Sequence, residues 1–291
     1  MAGLKDIRKR ITSVKSTRQI TKAMKMVSAA KFRKAQGRMM EMRPYADKMA
    51  SVLASLSGSV DTGHPLMQMR PVRTVEVVVL TSDRGLCGAF NTNVMKAAVR
   101  LISDYQKAGV AVTITAIGKK ATDLFRRRGM EVRKSWQGLS GRIVYLNAQE
   151  IAREIIEGYT SEAFDEVVLV YNEFRSALVQ KVSQTRLLPL TSVAHGQGEA
   201  ETERAEFLCE PSQQAIFDQI VPKNLDIQVF RALLESQASE EAARMTAMEN
   251  ATKAANDMIG ALTLQYNKAR QAAITKELMD IVGGVEALKG S

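Results

Sequence analysis

Toward the C-terminus of this chain, particular positions recur at a fixed seven-residue spacing. Met245, Thr252, Ile259, Tyr266 and Ala273 form one rail, and Met248, Ala255, Leu262 and Ala269 form the other. Steps of three and four residues in alternation mark the a/d seam by which one long helix buries a narrow stripe against another. Glu235 to Leu288 holds no proline, and its one glycine before the end is Gly260. A helix from Lys223 to Leu288 would be roughly 100 Å long, whereas a compact domain is only ~30–40 Å across. The pattern therefore predicts a rod that sticks out from the rest of the chain.

A second helical stretch runs from Gly3 to about Leu56. Ile7, Ile11, Val14, Ile20, Met24 and Val27 mark its stripe, with lysines and arginines over the remaining surface. So narrow a stripe suits a two-stranded coiled coil, and the C-terminal rod is its natural partner. If both rods leave the same side of a middle domain, they pair antiparallel. Pro44 lies within the first rod and Pro222 before the second, and the pattern leaves open whether each proline breaks or bends its helix.

Between the rods the period changes. Gly58, Gly63, Pro65 and Pro71 break the chain. Val75, Val77, Val78, Val79 and Leu80 then read as a strand buried on both faces. A glycine turn leads into a helix over 91–107, a strand over 111–117, a helix over 119–128 and a short strand near 131–135. A helix over 147–159 and a strand over 166–171 follow. Strand and helix in alternation predict a parallel sheet with covering helices. The alternation over 177–190 adds an antiparallel edge strand, and 207–209 reads as a last short one after the polar loop 195–204. The expected fold is α/β: an antiparallel coiled coil of long N- and C-terminal helices plus a Rossmann-like α/β globular domain. Its segments are 1–57, 58–210 and 211–291.

The net charge of +10 is informative once located. Residues 1–43 carry thirteen Lys/Arg against two acids, 44–211 carry twenty against nineteen, and 212–291 carry eight against ten. The excess sits on the first helix, which points to an acidic partner there: nucleic acid, anionic lipid or a protein surface. No apolar run approaches the ~20 residues that span a bilayer, and no signal-peptide core opens the chain. Cys87 and Cys209 form neither a ligand spacing nor a disulfide framework.

Candidate chemistry is sparse. SDRGLCG (residues 82–88) is a glycine-rich turn between strand and helix, where backbone N–H groups can meet a phosphate. Its glycines read G-x-x-G, no P-loop lysine follows, and Asp104 falls inside a helix instead of ending a second strand. A structural turn is the expectation. His64 and His195 sit in breaker-rich loops and read as solvated. Ser82, Asp83 and Arg84 have no histidine near and no nucleophile elbow. Glu154 and Glu157 have ordinary surface spacing. Near the C-terminus, Arg270 and Gln271 lie by Ile274 and Thr275 on an alanine-rich helix surface, a small polar cluster that a partner can approach closely. The residues alone admit three classes: a non-catalytic coiled-coil protein, a nucleic-acid binder using the basic helix, and a nucleotide-dependent enzyme using the turn.

Three long segments carry a resemblance. MAGLKDIRKRITSVKSTRQITKAMKMVSAAKFRKAQ opens the chain, SDRGLCGAFN lies in its middle, and ALLESQASEEAARMTAMENATKAA with LQYNKARQAAITKEL closes it. In this order and separation they resemble the γ subunits of F-type ATP synthases. The resemblance implies a central stalk whose coiled coil sits inside a ring of alternating α and β subunits. It also implies a globular domain touching the ε subunit and the c-ring, with catalysis on the β subunits and no cofactor or metal here. It implies partner contacts at Met24, Lys25, Arg244, Arg270, Gln271, Thr275 and Glu277, although Lys25 stands where relatives can carry an acid. A plastid-type regulatory cysteine pair is absent. The expected location is peripheral, on the cytoplasmic face of a bacterial inner membrane.

Overall fold

The computed structural model describes residues 3–57, 64–190 and 212–289. The expected turn at 58–63, the loop with His195 and the short strand at 207–209 lie outside them. Helix α1 is Leu4–Ser57 and α5 is Gln213–Lys289. Between them come β1 (Thr74–Leu80), α2 (Phe90–Lys107), β2 (Ala111–Ile117), α3 (Lys119–Arg127), β3 (Lys134–Trp136), α4 (Tyr145–Thr160), β4 (Glu166–Phe174) and β5 (Gln180–Leu188). Both long helices run unbroken through their prolines, Pro44 and Pro222. The chain forms two compact units, one of 1–27 with 245–291 and one of 28–244.

The larger unit is a sheet ordered β3-β2-β1-β4-β5, parallel except for β5, which pairs antiparallel with β4 at the edge. Its central strand β1 is apolar on both faces because helices cover both. Val75, Val77 and Val79 pack with Val94, Ala98 and Ile102 of α2 and with Ala121 and Phe125 of α3. Val78 and Leu80 belong to the opposite layer, with α4 and parts of both long helices. Phe32, Ala35, Met39, Leu53 and Leu56 come from α1, and Phe217, Val221, Leu225, Leu233, Ala238 and Ala242 from α5. The boundaries between units therefore fall inside the long helices, at 27/28 and 244/245.

One β1 residue breaks the apolar pattern. Glu76 is fully buried in mid-sheet, its carboxylate accepting from the Thr113 and Thr115 hydroxyls and pairing with Arg133 Nε at 3.2 Å. Arg133 also reaches Glu154 at 2.8 Å, so Glu154 is a structural partner and not a plain surface acid. A charge this deep is tolerated only while paired and hydrogen-bonded. Arg133→Met will leave the carboxylate without its cation and lower stability by about 3 kcal/mol. Adding Glu76→Gln will recover much of that loss, and denaturant midpoints of the two variants check it.

Candidate functional site

The smaller unit is the coiled coil. On α5 the seam residues Met245, Met248, Thr252, Ala255, Ile259, Leu262, Tyr266, Ala269 and Ala273 are all shielded, while most of their neighbours are open to solvent. On α1 the shielded positions are Leu4, Ile7, Ile11, Val14, Arg18, Thr21, Met24 and Lys25. This corrects the stripe read from the sequence, for Ile20 is 58% exposed and Val27 55%. The three-and-four spacing from Ile7 continues through positions 18, 21 and 25, which are polar. Residue type pointed to Ile20 and Val27; the helix period points elsewhere.

These polar positions meet partners across the seam. Lys25 Nζ donates to Glu249 Oε1 at 2.7 Å, Thr252 Oγ1 donates to Thr21 Oγ1 at 2.8 Å, and Arg18 Nη1 donates to Asn256 Oδ1 at 3.2 Å. Seven positions down α1 correspond to seven up α5, so the helices are antiparallel. Leu4, at the start of α1, then lies opposite residue 270. From 274 to 283 every α5 residue is exposed, including Ile274, Leu278, Ile281 and Val282 along one stripe. The sequence reading passed over this uncovered apolar end, although its steps of four and three residues were a usable signal.

The seven residues expected to touch partners divide into two groups. Arg270, Gln271, Thr275 and Glu277 are exposed near the end of α5. Within this group Thr275 Oγ1 donates to the Gln271 carbonyl at 3.0 Å. Met24 is half-buried, and Lys25 is held by Glu249. Arg244, in the larger unit, is only 8% exposed and grips Glu240 and, at 3.0 Å, Glu241. Burial pushes the Glu240 carboxyl above its usual range, and Arg244 offsets part of that shift. Burial also opposes the charge on Arg244, but the two glutamates more than compensate and raise its pKa.

The glycine turn is committed to structure. Asn91 Oδ1 accepts from Ser82 N at 2.9 Å, and Asn91 Nδ2 donates to Ser82 Oγ at 2.8 Å and to Cys87 Sγ at 3.2 Å. Asp83 accepts from the backbone N–H groups of Lys119, Gly138 and Ser140, tying three loops together. Gly118 has φ +94°, and a Cβ there would lie 2.2 Å from the Thr81 carbonyl oxygen, so the β1 and β2 ends can approach only with glycine. Open sheets of this type hold ligands beyond the strand C-termini where the strand order reverses, here between β1 and β4. Helix α5 covers that crevice: Ser239 Oγ donates to the Asn172 carbonyl at 3.3 Å, and Ala243 packs with Cys87 and Phe90.

His64 differs from its expectation as a solvated loop residue. Its Nδ1 accepts from Leu66 N at 3.2 Å, capping a turn, and its ring stands edge-on to Phe217, so burial lowers its pKa. Cys87 is a free, buried thiol whose pKa burial raises.

A family model described as ATP synthase matches residues 3–288. The ATP synthase gamma chain of Geobacter metallireducens is 48% identical over 292 residues, covering 100% of both chains. That of Chlorobaculum parvum is 50% identical over 294 residues, covering 99% of this chain and 100% of its own. Among solved structures, the central stalk and c-ring of the Tetrahymena thermophila mitochondrial ATP synthase contains a chain with TM-score 0.60 and 27% identity. The match covers 80% of this chain and 99% of that one. A chain of the Euglena gracilis mitochondrial enzyme matches with TM-score 0.68 and 22% identity over 98% of this chain and 94% of its own, a likeness of fold.

Leu262→Asp will place an unpaired carboxylate in the seam. Helicity measured by circular dichroism will fall and the coiled coil will melt earlier; unchanged melting would contradict the seam.

Proposed function

This chain belongs to the ATP synthase family as a γ chain, and on that premise we propose that it is the central rotor shaft of a proton-translocating F-type ATP synthase. The observation that carries the reading is an antiparallel coiled coil with an uncovered apolar end, in a chain similar over its whole length to γ chains. The coiled coil turns inside a ring of alternating α and β subunits, and the α/β domain meets the ε subunit and the c-ring. Exposed Ile274, Leu278, Ile281 and Val282 suit an apolar collar around the end of α5. Exposed Lys5, Arg8, Lys9, Arg10, Lys15 and Lys22 suit acidic segments of the surrounding subunits. Arg270, Gln271, Thr275 and Glu277 supply discrete polar contacts near that end.

Coupling follows from asymmetry. A two-helix rod has no three-fold axis, so it presents a different surface to each β subunit. Only differential contact of this kind can hold chemically identical sites in different conformations. Proton-driven rotation moves the bias from one β subunit to the next, and ATP hydrolysis drives it in reverse. The chemistry belongs to the β subunits. In this chain the crevice that would hold a nucleotide is closed by Ser239 and Ala243 of α5, which supports a non-catalytic role. Among the described residues no helix is long and apolar enough to cross a membrane. With the bacterial relatives, this supports a peripheral place on the cytoplasmic face of the inner membrane.

The test is co-purification of the tagged chain from gently extracted native membranes. The expected result is one copy with three each of two larger nucleotide-binding subunits, in a complex that hydrolyses ATP. A chain that purifies alone or with nucleic acid would overturn the reading. Arg8→Glu, Lys9→Glu and Lys15→Glu together will reduce assembly or ATP synthesis while leaving thermal unfolding of the isolated chain nearly unchanged.

A further inference from the structure

We infer that one flank of the coiled coil is an apolar groove that receives a helix from a β subunit of the surrounding ring, one carrying an apolar stripe about three turns long. Ile20 and Met24 on α1 each stand one place before a seam residue, Thr21 and Lys25, and Val27 continues that row. On α5 the matching places are Ala247, Ala251, Ala254 and Met258, just before Met248, Thr252, Ala255 and Ile259. One step along a helix turns it by about 100°, so each row lies to one side of its seam. Equivalent rows of an antiparallel pair fall on the same flank, because the two-fold axis relating the helices stands perpendicular to the plane they share. The observed pairs set Ile20 level with Ala254 and Val27 level with Ala247, so the rows line one continuous groove. The opposite flank is polar. It carries Lys15, Gln19 and Lys22 on α1 and Glu249, Lys253 and Asn256 on α5, with Met26 its one large apolar residue.

Exposure separates this groove from the seam. Ile20 is 58% exposed, Val27 55% and Met258 53%, with Met24, Ala247 and Ala251 half-buried beside them. A helix that packs against one neighbour needs only the narrow a/d stripe, whereas one that packs against two carries the wider stripe found here. The alanines let a third helix axis approach to about 8 Å. Ala247 to Met258 spans roughly 17 Å, which sets the length of the stripe that fits. The choice of occupant rests on the proposed function, in which the ring encloses the coiled coil. Met24, for which the resemblance implies a partner contact, lies mid-groove. Only one β subunit can face this flank at a time, so the groove is one of the differential contacts that hold the β sites in different conformations.

The test compares adjacent residues on opposite flanks in the assembled complex. A photoreactive benzoylphenylalanine replaces Ile20 or, separately, Gln19, and peptide mass spectrometry identifies the products after irradiation. From position 20 the expected product joins this chain to an apolar helical stripe of a β subunit, which position 19 does not reach. Ile20→Glu will lower ATP synthesis by membranes roughly tenfold, because it sets a carboxylate against apolar groups. Gln19→Glu adds the same charge to the polar flank and will change synthesis less than about twofold. Both side chains are exposed in the chain itself, so circular dichroism of the isolated variants will show parental helicity and melting. If Ile20→Glu does not fold, the cross-link still decides. A product from position 20 with a polar loop, with any other subunit or with nothing would overturn the inference, as would equal losses from the two glutamates. Such results in a complex that contains β subunits refute the groove alone, whereas a chain that purifies without β subunits refutes the rotor reading.

Discussion

The structure depends on α5 and on two different demands placed along it. Through residues 217–242 it lies in the core of the α/β unit, with Phe217, Val221, Leu225, Leu233 and Ala238 all buried. From Met245 onward it buries only a stripe, and α1 supplies the other half of the seam. One unbroken helix meets both demands because its pattern changes along its length, from burial on most sides to a two-positions-in-seven seam. The buried acids Glu235, Glu240 and Glu241 are held in the first region by Arg231 and Arg244, i, i+3 and i, i+4 partners on the same helix.

The α/β unit shows how a layout that elsewhere receives a ligand can be put to structural use. Its strands and first glycine turn have the arrangement that elsewhere receives a nucleotide. Here the turn's polar atoms are satisfied by Asn91, and Asp83 binds three backbone N–H groups. The crevice itself is occupied by Ser239 and Ala243. The groups that could have bound a phosphate instead join loops to strands and a helix to the sheet. Fold alone does not assign activity.

Much of this was legible in the sequence. The α5 seam was readable because its apolar and small residues keep the seven-residue period. The elements of the parallel core followed from alternating short apolar runs and amphipathic helices, whereas their order in the sheet did not. The α1 stripe was misread where residue type and period disagree, at Ile20 and Val27, because the seam there is filled by Arg18, Thr21 and Lys25. Glu76 was hidden by the valines around it, since its partner Arg133 lies far along the chain. The intrachain grip on Arg244 needed coordinates, although its i−4 and i−3 glutamates were visible. The capping role of His64 depends on a turn that sequence spacing does not specify.

The central claim is that this chain turns as a shaft and thereby carries energy between a membrane sector and catalytic sites elsewhere. Its most direct measurement is rotation. The assembled catalytic complex would be fixed to a surface by its ring, and a bead attached through an engineered cysteine at exposed Leu178, in the β4–β5 turn of the α/β unit. With ATP supplied, the account predicts sustained rotation of the bead in one direction, ceasing when ATP is withdrawn. A complex that hydrolyses ATP at its full rate while the bead stays still would contradict it.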